Sequence, residues 1–422
     1  MKLEHISLRR MFPGIRRGRY ITHALDSYPA KMIPQMARFL IDRASSPGDT
    51  VLDPFCGSGA VLVESMVNDR NAVGVDFNPY AVLLATAKTT AYDDDLLETQ
   101  LKEILTRLKT RRLADRVDFP NADYWFTPAT LHKLGVLRAV LCRYAANLDQ
   151  NYGSFWTAVA AATVRACSRA DTRGPKPFIS KKARENRLGR HFDPLGLFEQ
   201  RATVWITQHR QYVAMLSQGA TRRSASVLQG DSRALSCLLK GQAIDAVVTS
   251  PPYLNAQDYY RSSKLELFSL GLSSPRALRE WSREVIGSDR IASDPRLLNG
   301  ALPCGLAEEV RAKLADKNAK SARVFAKYSL DMDLVLGEIW KVLKEGGYCA
   351  MASSYNLLSG VVVPTSELVA ELASKQGFRL ESCYMDRIRD RWVPTQRNGH
   401  EGVIREEHLL LFRRASNRPN GQ

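Results

Sequence analysis

The chain has 422 residues, 45% of them hydrophobic and 25% charged, and its 60 Lys and Arg against 44 Asp and Glu leave a net charge of +16. That length suits one large α/β domain carrying an inserted segment, and the composition excludes a fibrous or disordered chain. No stretch is long and apolar enough to span a bilayer, so no membrane partner is expected, and the positive excess favours a polyanionic one.

The first twenty residues contain LRRMFPGIRRGRY, whose arginines, glycine and proline read as a basic arm over 1–20 rather than a regular element. Such an arm can lie on phosphates or trail in solvent. Met36, Phe39, Leu40 and Ile41 recur at helical spacing and predict a helix from Pro34 to Ala44, broken by SSPGD. TVLDPF at 50–55 then predicts a strand, CGSG a glycine turn, AVLVESMVNDR a helix packed on a sheet, and NAVGVDFN a second strand ending on Asp76. This β-α-β unit predicts parallel strands in a doubly wound α/β sheet.

From about residue 91 to 222 the periodicity is helical, as in LLETQLKEILTRLKTRRL and PATLHKLGVLRAVLCRYAANL, and predicts a mainly helical insertion. Its centre is rich in Lys, Arg, Gly and Pro, consistent with a mobile basic loop. SASVLQGD at 224–231 and AIDAVVTS at 243–250 predict two more central strands, followed by a polar, loop-rich stretch to about 325. The helix LDMDLVLGEIWKVLK leads through EGG into the strand YCAMASS. RLESCYMDRIR and EHLLLFRR then predict an antiparallel terminal pair. The core domain is accordingly expected over 21–90 and 223–415.

Gly57 and Gly59 let the backbone approach a ligand closely at a helix start, and Asp76, about twenty residues on at a strand tip, can accept the two hydroxyls of a ribose. A dinucleotide site would put its pyrophosphate here, but Asp53 and Glu64 flank the turn and carboxylates repel phosphates. Asp53 suits the ammonium of a methionine moiety instead, which points to S-adenosylmethionine. At the end of a later strand, TSPPY holds Pro251 and Pro252, which fix the backbone so that a carbonyl can accept a hydrogen bond from an amino group. Ser250 can bond a ring nitrogen and Tyr253 can stack on a base. Hydrogen bonds that draw an amine lone pair out of conjugation ready it for attack on a sulfonium methyl.

With these residues in view, the chain resembles the amino-group DNA methyltransferases, which act on cytosine N4 or adenine N6. HALDSYPAKMIPQ, with His23, Tyr28 and Pro29, is similar to the motif preceding that family's glycine turn. DPFCGSG, with Asp53, Pro54, Phe55, Gly57 and Gly59, and VGVDFNP, with Asp76, Phe77 and Asn78, resemble the next two. VLQGDSR resembles the motif whose aspartate, here Asp231 beside Ser232, sits by the cofactor adenine amine. The resemblance implies a Rossmann-like methyltransferase sheet, cofactor binding by these residues, and catalysis at Ser250, Pro251, Pro252 and Tyr253. A serine opening that motif is more typical of the cytosine N4 group.

Double-stranded DNA is the implied partner, gripped while the target base flips out of the stack, and a cognate restriction endonuclease is a possible companion. Arg173, Lys176, Lys181, Lys182, Arg184 and Arg187 form the densest basic cluster and can neutralise phosphates, a solvated loop being the plainer use of such charge. Trp392, in RDRWVPTQRNGHEG, is a candidate to pack on the extruded base, with core packing or an exposed turn equally open. Seven cysteines without CxxC or a His/Cys cluster predict reduced thiols and no metal site, and Cys304 after Pro303 is too far from the strand ends to serve as a nucleophile. A cytoplasmic location is the simplest expectation. Adenine N6 methylation and methylation of tRNA or rRNA remain the alternatives.

Overall fold

The computed structural model describes residues 3–15, 20–25, 28–29, 31–111, 113–171, 176–181, 192–219, 223–254, 259–291, 294–387 and 406–416. Alternating apolar strands and amphipathic helices build a sheet of eight strands: β1 Leu3–Ile6, β2 Thr50–Asp53, β3 Asn71–Asp76, β4 Ala225–Gln229, β5 Ile244–Thr249, β6 Leu343–Ser353, β9 Phe378–Arg387 and β10 Glu406–Arg414. A small hairpin, β7 Asn356–Leu358 and β8 Val361–Val363, stands apart. Across the sheet the order is β4-β3-β2-β5-β6-β10-β9-β1. β10 runs antiparallel to both its neighbours, β6 and β9, while the other pairings in the sheet are parallel. The chain therefore has the expected doubly wound, mostly parallel sheet with an antiparallel terminal strand.

The period-two alternation of side chains along the strands divides the core between two faces. Val51, Ala246, Val248 and Ala350 pack against helix Pro34–Ala44, whereas Leu52, Val247 and Met351 pack against helices Ala319–Val342 and Thr365–Lys375. Helix Pro34–Ala44 begins where the sequence predicts, with Pro34 in its first turn, where a missing N–H costs nothing. After helix Pro79–Thr89 the chain leaves the sheet and forms helices Asp94–Thr110, Pro128–Ala145, Gln150–Cys167 and Pro194–Leu216 before returning at β4. These helices pack around Phe155, Trp156, Phe198 and Trp205 in a core shared with Tyr80, Ala81 and Leu84 of helix Pro79–Thr89, and the indole N–H of Trp156 donates to Gln100 at 2.7 Å. Capping is local: the side chains of Asp93 and Thr127 accept N–H groups of the first turns they precede.

Three expectations are corrected. Part of the basic arm is structured: β1 pairs with β9 from Leu3 opposite Cys383 to Ile6 opposite Asp386, and Leu8 is buried in the short helix Leu8–Met11. The partner strand lies at the other end of the chain, so no local pattern announces it. β4 is an edge strand rather than a central one, because the order reverses at β2 and β5. The stretch taken as loop-rich carries helices Lys264–Ser269, Pro275–Glu284 and Gly305–Ala315, and the long helix before β6 starts at Ala319. Among the described residues, no helix is long and apolar enough to cross a membrane.

Because β2, β3, β4 and β5 are parallel, their carboxyl ends open on one edge of the sheet. The reversal between β2 and β5 leaves a crevice there, the usual ligand position in open α/β sheets.

Candidate active site

β2 ends on Asp53, whose Oδ1 accepts the Phe55 N–H at 3.0 Å and the Thr249 hydroxyl at 2.6 Å, so the ends of β2 and β5 are tied together. Its Oδ2 has no hydrogen-bond partner among the described residues. Burial pushes the carboxyl up to about 7 against these two bonds, with Asp76 adding to the rise. The chain then turns sharply, with Gly57 at φ 50° and Gly59 at φ 81°. A Cβ on Gly59 would lie 3.1 Å from the Ala85 backbone, and one on Gly57 would lie 3.4 Å from the Tyr28 ring. Both glycines are required by conformation, and Gly59 by close approach as well.

At the tip of β3, the two oxygens of Asp76 accept the N–H groups of Gly57 and Asn78, each at 2.8 Å. The carboxylate thus holds the glycine turn and the start of the next helix, and burial raises it to about 6 despite those bonds. Asn78 caps that helix by accepting the Tyr80 N–H, and its amide donates to the Tyr28 hydroxyl at 3.2 Å.

Beyond β4, Asp231 is clasped by Arg233, whose Nε and Nη2 reach its oxygens at 2.6 to 3.1 Å. Arg233 also donates to Asp331 at 2.9 Å and to the Glu284 carbonyl at 3.1 Å. Burial works to raise Asp231, but the guanidinium prevails and holds it below the usual carboxylate range. The Ser232 hydroxyl donates to the Pro54 carbonyl, joining this turn to the glycine turn.

Ser250, Pro251, Pro252 and Tyr253 follow β5 directly. Pro251 is buried, and the Tyr253 hydroxyl donates to Glu407 of β10 at 3.3 Å. Burial pushes that glutamate up to about 7, with the tyrosine bond opposing and Asp386 reinforcing.

These four strand ends enclose a cleft with about 850 Å³ of empty space, its open mouth included. Twelve of the residues singled out from sequence line it: Tyr28, Pro29, Asp53, Phe55, Gly57 and Asp76, together with Phe77, Asn78, Asp231, Ser232, Ser250 and Pro252. Pro54, Gly59, Pro251 and Tyr253 do not line it but belong to the turns that shape it. His23 lies behind the glycine turn, fully buried, with Nε2 2.8 Å from Glu64. Burial keeps its imidazole below the ordinary range against the pull of that carboxylate, and Tyr20 donates to the same oxygen. His23 and Glu64 therefore brace the helix after the turn.

Lys31, Met32, Arg233, Tyr260 and the run Glu284–Ile286 also line the cleft, though sequence reasoning did not single them out. Lys31 and Met32 fall inside the quoted HALDSYPAKMIPQ stretch and were in reach; Tyr260 and 284–286 arrive by tertiary folding alone. Among the basic cluster, Lys176 is half-buried, Lys181 is exposed, and neither lines the cleft. Arg173, Lys182, Arg184, Arg187 and Trp392 lie outside the described residues. Cys304 stands before helix Gly305–Ala315, away from the cleft. No group of His, Cys, Asp or Glu suited to a metal ion occurs among the described residues.

The cleft fits S-adenosylmethionine on the chemistry of its own groups. A carboxylate with a free oxygen, Asp53, suits a cationic amino-acid moiety. A second, Asp76, lines the same cleft from the tip of β3, and a phosphate between them would meet two like charges. A cleft of this kind opening on a Ser-Pro-Pro-Tyr turn marks the class, an S-adenosylmethionine-dependent methyltransferase.

The relatives agree. Residues 7–87 match the family model described as DNA methylase. The chain is similar to the type II methyltransferase M.MvaI of Kocuria varians, 22% identical over 93% of this chain and 90% of that protein. It is also similar to M.BsoBI of Geobacillus stearothermophilus, 22% identical over 79% of this chain and 74% of that one. A shorter match, 36% identical over 21% of this chain and 16% of the relative, is to M.MjaII of Methanocaldococcus jannaschii. By these matches the chain is similar to DNA methylases and to type II methyltransferases.

Proposed function

We propose that this protein methylates the exocyclic N4 of cytosine in double-stranded DNA by direct transfer to a base flipped into the cleft. The observation that carries this reading is the convergence of two separate β-α units on one crevice. β2 and β3 bring Asp53, the glycine turn and Asp76, while β5 brings Ser250 and Pro252 to the same cavity. Support for DNA as substrate comes from the relatives, a DNA methylase family model and proteins named type II methyltransferases. The serine that opens the SPPY turn favours cytosine N4 over adenine N6.

When bound, S-adenosylmethionine supplies a methyl group made electrophilic by its sulfonium. Asp53 would hold the amino-acid end and Asp76 the ribose, with Phe55, Phe77 and Asn78 along the nucleoside. The rigid turn at Ser250–Pro252 offers backbone carbonyls and a hydroxyl to the amino group and ring of the base, orienting the lone pair for attack. Tyr253, anchored on Glu407, presents a ring to that base. The amine nitrogen is itself the nucleophile, so the methyl–sulfur bond would break as the methyl–nitrogen bond forms, the thioether would leave and the amine would release a proton to solvent, with no covalent enzyme intermediate; the Thr249–Asp53 contact preorganises the turn. Electrostatic grip on the duplex is assigned to the basic cluster at 173–187 and to the N-terminal arginines, and a base contact to Trp392. A cognate restriction endonuclease and a cytoplasmic location accompany this reading.

The test is incubation of the protein with labelled S-adenosylmethionine and unmethylated DNA or total RNA, followed by mass spectrometry of the nucleosides. N4-methylcytosine in DNA, lost in Ser250→Ala, is expected. N6-methyladenine would move the assignment to adenine, and label confined to RNA would overturn it.

A further inference from the structure

Tyr260 lies outside every motif of the sequence, on the short helix Tyr259–Ser262 that follows the SPPY turn. It is 3% exposed, and its ring packs on Trp281 at 5.7 Å between centroids and shares a core with Leu265, Leu267 and the inserted helices. From that anchorage it forms part of the cleft wall. Its hydroxyl is shut off from solvent and has no hydrogen-bond partner among the described residues. Buried hydroxyls are almost always paired, so an orphan one on a residue that lines a ligand cleft marks a bond that the ligand completes. Burial raises the phenol above the ordinary tyrosine range, and the two charges that add to the rise are Asp76 and Asp231. The hydroxyl is thus within electrostatic reach of the tips of β3 and β4, which bracket the nucleoside.

We infer that Tyr260 is a cofactor-binding residue whose hydroxyl makes a direct hydrogen bond to the nucleoside half of S-adenosylmethionine, between Asp76 and Asp231. The inference rests on the reading of this cleft as the cofactor site. It has a structural corollary: Tyr260 belongs to the core of the inserted helices, so the cofactor is held partly by the insertion.

Tyr260→Phe removes the hydroxyl and keeps the ring against Trp281. Calorimetric titration with S-adenosylhomocysteine, which cannot turn over, is expected to show roughly three- to tenfold weaker binding than wild type, the loss of one neutral hydrogen bond. In turnover, KM for S-adenosylmethionine should rise more than kcat falls, a split that a general structural defect would not give. Analogues of S-adenosylhomocysteine lacking the ribose 2′-hydroxyl or the adenine N7 identify the partner: for the analogue without the bonded atom, wild type and Tyr260→Phe should bind alike. Equal affinity of the two proteins for S-adenosylhomocysteine overturns the inference while leaving the cleft assignment intact. A difference that persists undiminished across every nucleoside analogue overturns the direct contact. Failure of the wild-type protein to bind S-adenosylhomocysteine at all overturns both.

Discussion

Asp53→Asn separates what the cleft costs the fold from what it does for the cofactor. In the wild type, Oδ1 takes both hydrogen bonds, from Phe55 at 3.0 Å and Thr249 at 2.6 Å, and an asparagine of the same shape can keep both through its carbonyl. What changes is the charge. Asp53 rises from 3.8 to about 7 on folding, chiefly through burial. A carboxyl raised in this way favours the folded state fully below its unfolded value and loses that contribution as pH climbs to the folded one. Between pH 5 and pH 8 the loss amounts to about 3 kcal/mol at 1.36 kcal/mol per pH unit. Asparagine does not titrate, so relative to wild type Asp53→Asn should gain about that much stability across the interval. The new amide N–H₂, if it finds no acceptor, costs about 1–3 kcal/mol at both pH values and leaves the difference untouched. Denaturant unfolding of the cofactor-free proteins at pH 5 and pH 8 reads the difference directly, and S-adenosylmethionine binding at pH 8 should weaken in the same variant. An Asp53→Asn protein whose relative stability is the same at both pH values, or one that binds the cofactor as well as wild type, would refute the reasoning.

Cofactor affinity of the wild type should fall as pH drops from 8 through 6, because protonation of Asp53 and then Asp76, at about 7 and about 6, removes the charges that face the ligand; titration calorimetry across that range checks it, and a flat profile counts against both roles. Gly59→Ala should destabilise by about 2–4 kcal/mol, combining a left-handed residue with a Cβ 3.1 Å from Ala85, as read from the denaturant midpoint. Ser250→Ala should retain S-adenosylhomocysteine binding while lowering kcat at least tenfold, on the order of one lost transition-state hydrogen bond, whereas loss of cofactor binding would place Ser250 in the wrong role. Arg233→Ala should cost about 2–4 kcal/mol, since it strips Asp231 and Asp331 of a shared, partly buried cation; an unchanged unfolding midpoint would show the network to be idle.

Much of the site was legible because its chemistry is local. Gly57, Gly59 and Asp76 belong to one β-α-β unit, and the turn after β5 is rigid by covalent structure, so the residue types carry their geometry with them. The alternating and helical periods likewise announced β2, β3, β5 and their helices, since burial of one face dictates the pattern along the chain. The terminal antiparallel pair was visible for the same reason.

Tertiary structure alone decided which distant pieces meet. His23 belongs to a motif by sequence yet turns inward to Glu64, because the helix after the glycine turn needs a partner on its buried side. Arg233, two residues past Asp231 in the quoted VLQGDSR stretch, clasps it locally, and only helix Ala319–Val342 brings Asp331 beside the same guanidinium. β1 finds its place only because β9, at the far end of the chain, offers an open sheet edge. Tyr260 enters the cofactor cleft from a stretch with no strong periodicity. Such contacts depend on relative positions of elements far apart in the chain, and burial energy selects them only after those elements have packed.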